Sequence, residues 1–302
     1  MKFLKLLVVL FSVSLAAQTV VLAADDAAPA DTNAETGVKN AKSREDIDEE
    51  ITNAKLRAAT GAKSLYSFQS LFTYGGGSIK DPFSKDRLKL TPGTIEPQPS
   101  KISGAISGKY RLTDHDNINV GFGVGWLTPM YPGQRGQAED PYVAYGRVFK
   151  AMGLQNVLNV ALTYYTTDYQ NSIKGLFQTD IDYTILWAIP KTKWQLGLFG
   201  AWTRELYRAG YTTDQVQDEL SLDPFVEYEF NSVFSFRTVY RFLTYYNSIG
   251  RSDLFERDPQ TQSLGLGIAI TRDLYIYPNL QWVWADIRGD KTNIGIQANI
   301  NL

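Results

Sequence analysis

The chain has 302 residues, with 30 Lys and Arg, 32 Asp and Glu, one histidine and no cysteine. This near-neutral charge offers no basic surface for nucleic acid. Without cysteine, and with His115 alone, the chain lacks the groups for zinc sites, thiol nucleophiles and Ser-His-Asp triads. We therefore expect no catalytic site, no metal site and no cofactor. The length suits one signal peptide followed by one large barrel.

Residues 1–24 have the features of a signal peptide. Two lysines lie within the first five residues, a short apolar stretch covers 6–17, and the small residues Ala23 and Ala24 offer a cleavage site. The apolar stretch is shorter than the roughly 20 residues that a spanning helix needs. The sequence contains no later candidate for a transmembrane helix, so any membrane crossing would have to use strands.

Residues 25–63 form a second region, before the repeating pattern begins. The part at 25–42 is small and polar and is expected to be disordered. A helix is predicted over 44–59, because Ser43 can cap it and apolar residues recur along one face. That apolar stripe is thin. The helix is either a short solvated element packed against its own barrel, or a periplasmic oligomerisation handle or pore plug.

From residue 64 to the end, stretches of about ten residues alternate between apolar and polar side chains, which places alternate side chains on opposite faces of a sheet. The predicted strands cover 65–74, 101–112, 117–127, 142–150, 156–167, 176–189, 193–206, 220–230, 233–246, 261–271, 273–285 and 291–302. Soluble strands cluster near 5–6 residues, whereas a tilted membrane strand needs about 9–11. The predicted lengths therefore favour a membrane barrel.

The connections between these strands alternate in length. Short ones fall at 113–116, 151–155, 190–192, 231–232 and 272, and long ones at 75–100, 128–141, 168–175, 207–219, 247–260 and 286–290. This alternation is typical of barrels with brief periplasmic turns and larger outer loops. The sequence thus predicts an all-β fold over 64–302, a 12-stranded antiparallel transmembrane β-barrel with a short N-terminal periplasmic helix.

The tryptophans give a separate indication of a membrane environment. All six fall near predicted strand ends: Trp126, Trp202, Trp282 and Trp284 at the outer side, and Trp187 and Trp194 at the inner side. Amphipathic rings prefer the membrane interface, so these residues are predicted to form two aromatic girdles.

Over Leu65–Leu302 the pattern resembles the Gram-negative outer-membrane β-barrel (porin-like) superfamily, without matching a particular family within it. The resemblance lies in the strand pattern rather than in a signature motif. It implies an outer-membrane location, contact with outer-membrane lipid and insertion by the barrel-assembly machinery. Members commonly end in an aromatic residue, whereas this chain ends in Leu302.

Charged residues at inward positions are the candidate pore lining. They are Lys101, Lys109, Arg111, Asp180, Asp182, Glu205, Glu227, Glu229, Arg237 and Arg241. Register at the 231–232 hairpin predicts that Glu227 pairs with Arg237 and Asp223 with Arg241. Either these charges pair with one another along the barrel wall, or they set up a transverse electric field across a water-filled pore.

Small residues at outward positions are a possible protomer contact. Ser70, Gly104 and Gly108 are assigned to the lipid side, with Ala144 and Gly146 as possible additions. Small residues in lipid permit close approach of another protein surface, although glycine also relieves strain in a curved sheet. A homo-oligomer is expected on this basis.

The expected function is passive diffusion of small hydrophilic solutes through a narrow charged lumen. The main alternative is a non-conducting homo-oligomeric barrel that organises lipid or the cell envelope. An outer-membrane hydrolase comes third, because His115 lies in a short turn and Asp180 and Asp182 have no evident third partner.

Overall fold

The computed structural model describes residues 51–60, 65–88, 97–132, 134–251, 255–257, 259–284 and 286–302. The predicted signal peptide, the polar segment at 25–42 and the start of the predicted helix at 44–50 lie outside these ranges. The statements below concern the described residues.

Strands dominate the described chain. They are β1 (Tyr66–Ser78), β2 (Asp86–Leu88), β3 (Pro97–Pro99), β4 (Lys101–Arg111), β5 (Asp116–Leu127), β6 (Arg135–Ala151), β7 (Leu154–Tyr164), β8 (Gly175–Ala188), β9 (Trp194–Tyr207), β10 (Val216–Glu229), β11 (Phe234–Arg241), β12 (Leu243–Ser248), β13 (Glu256–Arg257), β14 (Thr261–Ala269), β15 (Leu274–Val283) and β16 (Asn293–Asn301). The helices are α1 (Ala54–Thr60), α2 (Asp168–Ser172) and a 3₁₀ turn at Ile249–Arg251.

The strands form a closed antiparallel barrel. Consecutive barrel strands pair with each other, and β16 pairs with β1 from Gln69 opposite Asn301 onward, which closes the sheet. β11 and β12 are two parts of one barrel strand interrupted at Phe242, so the barrel has 12 strands. β2 and β3 form a separate hairpin, and β13 pairs only with β12. The predicted fold class is confirmed.

The two ends of the barrel differ in their connections. One end, the turn end, carries the short connections at 112–115, 152–153, 189–193, 230–233 and 270–273. The other, the loop end, carries the longer ones at 79–100, 128–134, 165–174, 208–215, 249–260 and 284–292. The tightest turn joins the pair Ala151 and Leu154, and both of its central residues, Met152 and Gly153, have positive φ (51° and 76°), as a type I′ hairpin requires.

Three strands extend at least four residues farther toward the loop end than predicted. β1 ends at Ser78 rather than at 74, β6 begins at Arg135 rather than at 142, and β10 begins at Val216 rather than at 220. Pro141 lies in β6 beside a register irregularity in its pairing with β5. The added part of β6 is mostly polar, so it lacks the apolar alternation from which strands were predicted.

The helix differs from its prediction in extent and in position. Residues 51–53 are not helical, and α1 begins at Ala54 with Asn53 as its N-cap, because the Leu56 amide donates to Asn53 Oδ1 at 3.1 Å. α1 contacts β14, β15 and β16, and the segment that contains it lies inside the barrel, which corresponds to the pore-plug alternative of the sequence analysis. No helix within the described ranges is long and apolar enough to cross a membrane.

The outer face of the barrel is apolar and exposed. Val120, Phe122, Leu196 and Leu198 are among many large apolar side chains that remain exposed there. Their sequence neighbours on the opposite face are polar or small, as in Asn119 and Gly121 on β5. This arrangement is the inverse of a soluble sheet protein and matches strands that face lipid on the outside.

Candidate functional site: the barrel lumen

A short segment identifies the inner face of the sheet. Residues 51–60, here called the plug segment, contact side chains from strands spaced around the whole barrel. The contacts include Lys109 on β4, Gln155 on β7, Gln195 on β9, Glu227 on β10 and Tyr275 on β15. A segment that contacts strands on all sides of a closed sheet lies within its lumen. These contacts fall near the strand ends that meet at the turn end.

Apolar residues of the wall form a socket for the plug segment. Ile51 and Leu56 pack against Val148, Leu186 and Phe225, with Val157 and Val239 beside them. Ile51 and Leu186 are both 0% exposed. These five wall residues, here called the socket, would face water if the lumen were open at this level. Burying one such side chain contributes about 1.5–3 kcal/mol, so the socket favours occupation by the segment.

Polar groups of the wall hold the backbone and side chain that follow Ile51. Gln155 Oε1 accepts from the amides of Thr52 and Asn53 at 3.0 and 3.3 Å, and its Nε2 donates to Thr52 Oγ1 at 2.9 Å. Asn53 Nδ2 donates to Gln195 Oε1 at 2.8 Å and to Glu227 Oε2 at 2.9 Å. Asn53 is completely buried, and its side chain links the start of α1 to β9 and β10.

Glu227 is the centre of a buried polar cluster. Its side chain, 1% exposed, accepts from Arg237 Nη1 at 2.9 Å, and its second oxygen accepts from Ser235 Oγ at 2.7 Å. The Arg237 guanidinium also lies over the Phe225 ring, 4.0 Å from its centroid. The predicted register is confirmed, because Glu227 lies opposite Arg237 and Arg241 forms an ion pair with Asp223 at 3.6 Å.

The other end of the plug segment is also held. Lys109 Nζ donates to the Ala59 carbonyl at 2.8 Å, a favourable position for a cation at a helix C-terminus. Ala58, fully buried, packs against the inward rings of Tyr275 and Tyr277. The segment is thus fixed at both ends of its short length.

The plug segment has a wall side and a solvent side. A cavity of about 340 Å³ borders it, lined by Thr52 and Arg57 of the segment and by wall residues that include Lys193, Glu229 and Tyr275. Ile51 and Leu56 point the other way, into the socket. The segment is therefore amphipathic across the lumen.

The half of the lumen nearer the loop end is different. Asp180, Asp182 and Glu205 lie there, and none of them forms an ion pair with a Lys or Arg of the described chain. Asp180 Oδ1 accepts from Gln178 Nε2 and from Thr203 Oγ1, both at 2.7 Å. Tyr207 Oη donates to Glu205 Oε2 at 2.6 Å. The hydrogen bonds to Asp180 and Glu205 thus come from neutral groups.

The hairpin β2–β3 places an arginine at the loop end of the lumen. Arg87 donates to Gln281 Oε1 at 2.5 Å and to the carbonyls of Gly76 and Ile294 at 3.4 Å. A Cβ on Gly75 would lie 3.1 Å from Arg87 Nη1, so the guanidinium would have to shift by a few tenths of an ångström. Sequence analysis did not single out Arg87, because it assigned 75–100 to a loop without internal structure.

The strand registers place all the predicted lining residues on the face that contacts the plug segment. They are Lys101, Lys109 and Arg111 on β4; Asp180 and Asp182 on β8; Glu205 on β9; Glu227 and Glu229 on β10; and Arg237 and Arg241 on β11. The structure joins Glu227 with Arg237 and directs Lys109 to the plug segment. It does not bring the basic residues of β4 to Asp180 and Asp182.

The tryptophans lie on the outer face, near strand ends. Trp126, Trp187, Trp194 and Trp284 are exposed, Trp202 is partly exposed and donates to Asp218 Oδ1 at 3.1 Å, and Trp282 is buried among its neighbours. Their predicted role as membrane girdles remains a prediction.

The small-residue patch is only partly as expected. Ser70, Gly104 and Gly108 are on the outer face, but the ring of Phe72 covers Gly104, whose Cβ would meet Phe72 Cδ1 at 2.8 Å. The suggested addition of Ala144 and Gly146 was wrong. They lie opposite Asn119 and Asn117, which places them on the inner face.

The socket was missed by sequence analysis, although a signal for it exists. Val148, Leu186 and Phe225 are apolar residues at inward positions, where the alternating pattern calls for polar or small ones. All three lie toward the turn ends of their strands. Such a cluster of exceptions indicates that something apolar covers that part of the wall.

Comparisons with known proteins support the fold. No protein family matches the sequence, and no curated protein matches it. Among solved structures, an outer membrane channel from Pseudomonas putida F1 aligns with a TM-score of 0.51 at 11% identity, covering 80% of this chain and 96% of that one. The NanC porin (TM-score 0.42, 11% identity, 78% and 97% coverage) and the KdgM porin (0.43, 9%, 78% and 97%) are more distant. The first likeness concerns the fold alone.

Proposed function

We propose that the protein is a porin-like channel through which small hydrophilic solutes diffuse passively across the outer membrane. The observation that carries the proposal is the closed barrel itself, with an exposed apolar outer face and an inner face lined by charged and polar side chains. An 8-stranded barrel is filled by its own side chains and a 16-stranded one leaves an aqueous channel, so 12 strands suit a narrow passage.

In this proposal the turn end faces the periplasm and the loop end the exterior, and the chain arrives by way of a signal peptide and the barrel-assembly machinery. Asp180, Asp182 and Glu205 form a selectivity region, because they carry negative charge without a nearby cation among the described residues. A lumen with such a lining favours cations over anions. Homo-oligomerisation through the patch around Ser70 and Gly108 is a further part of the proposal.

The experiment is a measurement of ion selectivity in planar bilayers. The full mature chain is expected to pass current with a preference for cations, and the double variant Asp180→Lys, Asp182→Lys to reduce or reverse it. Asp81→Lys, in the connection after β1, is the matched control and leaves the preference unchanged. Equal permeability ratios for all three proteins would reject these residues as lining.

One observation favours the second candidate, a barrel that does not conduct. The plug segment occupies the lumen at the turn end. Absence of current from the full chain, and also from a variant in which the plug segment carries a charge at Ile51, would favour a structural role and overturn the channel.

A further inference from the structure

We infer that the inner wall at the turn end is a binding site for residues 51–60, and that this segment is a resident plug whose departure opens the lumen. The inference rests on the proposed channel function and concerns the regulation of that pathway. It predicts two states of the barrel, one with the socket covered and one with the socket facing water.

The wall is shaped for this occupant on its apolar side. Val148, Leu186 and Phe225 are buried where Ile51 and Leu56 pack on them, and the Arg237 guanidinium also lies over the Phe225 ring. On an inner wall that contacts water, these positions would be served as well by polar or small residues, which occupy most of the inner face elsewhere. Their presence is explained by a permanent or frequent apolar partner.

The wall also matches the segment on its polar side. Gln155 Oε1 accepts from two successive backbone amides, which converge on one acceptor because the chain curves at Thr52 and Asn53, just before α1. Gln195 and Glu227 both accept from the one side-chain amide group of Asn53, and Lys109 donates to the carbonyl of Ala59. Contacts to backbone, to side chain and to the helix end together define a site for this particular sequence.

The attachment of the plug segment makes both states accessible. Only residues 61–65 separate α1 from β1, so a segment that leaves the socket remains tethered at its entrance. Tethering gives a high effective concentration, and rebinding then competes with departure even when each contact is weak. Reversible opening is therefore compatible with the complete burial of Ile51.

The first test compares mean current per inserted barrel for the full chain and three variants. Ile51→Asp places a carboxylate where the side chain is fully buried, and an unpaired charge there is strongly disfavoured. We expect at least a tenfold rise in current, and a smaller rise for Asn53→Leu. Ile287→Asp is the matched control, because it makes the same substitution at an isoleucine that is 67% exposed in the connection between β15 and β16, away from the plug segment; its current stays within twofold of the unmodified protein.

The converse test adds the plug segment back, as a synthetic peptide with the sequence of residues 51–60. Added from the turn-end side, it is expected to block Ile51→Asp barrels, whereas the same peptide with Asp in place of Ile51 does not. Failure of both peptides alike, or equal block by both, overturns the assignment of a sequence-specific site.

A second measurement separates failure of the plug from failure of the channel. Since the chain has no cysteine, Val148→Cys introduces a single thiol of similar size into the socket. In liposomes, a hydrophilic maleimide should label it at least tenfold faster when Ile51→Asp is also present. Labelling that rises without any current supports the plug and overturns the channel. Current without faster labelling, or equal current in all variants, overturns the plug.

Discussion

The two halves of the lumen use charge in opposite ways. At the turn end, Glu227 and Arg237 are paired and buried under the plug segment. At the loop end, Asp180 and Asp182 lie on the same inner face without a described cationic partner. The difference teaches that a charged residue at an inward position is not by itself a pore residue. Buried, paired charges stabilise the structure, whereas exposed, unpaired charges are available to a passing ion.

We expect the largest loss of stability when the buried pair of Glu227 and Arg237 is broken. Glu227→Ala leaves the Arg237 guanidinium buried without its carboxylate, and removing one partner of a buried pair typically costs about 3–5 kcal/mol. Asp223→Ala is the matched control, since it lies on the same strand and pairs with Arg241, whose side chain is 60% exposed. The Asp223 carboxylate itself is buried, but water can solvate the Arg241 guanidinium once its partner is removed, so we expect a smaller loss of stability than for Glu227→Ala.

Urea unfolding of both variants in lipid vesicles measures the free energy of unfolding. A loss for Asp223→Ala as large as that for Glu227→Ala would contradict the expected difference between a pair with a buried arginine and a pair with an exposed one.

An intermediate effect is expected in the socket. Leu186→Ala should destabilise the barrel by about 2–3 kcal/mol, because the side chain is fully buried and its removal leaves a cavity. Leu198→Ala on the outer face of the neighbouring strand is the control for a partly exposed leucine.

The socket prediction becomes sharper in a double-mutant cycle with Ile51→Ala. Residues in contact show coupling of about 0.5–3 kcal/mol, so the double variant should lose less stability than the sum of the singles. Additive losses would mean that Ile51 does not occupy the socket in the membrane.

We also expect plugging to depend on pH. Enclosure by the barrel lowers the pKa of Lys55 from 10.5 to about 7; nearby Arg237 adds to the lowering, and Glu227 opposes it. The bound segment therefore releases a proton that the free segment keeps between about pH 7 and 10.5. Raising the pH through this window favours the plugged state, and below pH 7 this lysine contributes no further dependence.

Mean current recorded between pH 7 and 10 should accordingly fall as the pH rises. Lys55→Met removes the titrating group and should remove this slope. A slope of the same size in Lys55→Met would assign the effect to another group.

The barrel could be predicted from the sequence, because an alternation of apolar and polar residues with period two indicates a sheet with one apolar and one polar face. The 12 strands, the alternation of short and long connections and the pairing of Glu227 with Arg237 all follow from that pattern. The plug was left as one of several alternatives, because a seven-residue helix with a thin apolar stripe does not reveal what it packs against. The socket could not be predicted, because its side chains come from strands that are distant in the sequence. The position of Arg87 could not be predicted either, because its hairpin lies in a connection without a periodic pattern.

The seam between β1 and β16 has a consequence for assembly. Its partners, such as Gln69 and Asn301, are separated by nearly the whole strand-forming chain, so closing the seam carries the largest loop-closure entropy of any pairing in the sheet. The helix directly before β1 already contacts β14, β15 and β16. We expect it to guide the C-terminal strands to the seam. A variant with a charge at Ala58, which packs against Tyr275 and Tyr277 of β15, should then refold more slowly into vesicles. An unchanged refolding rate would restrict the helix to its role in the finished barrel.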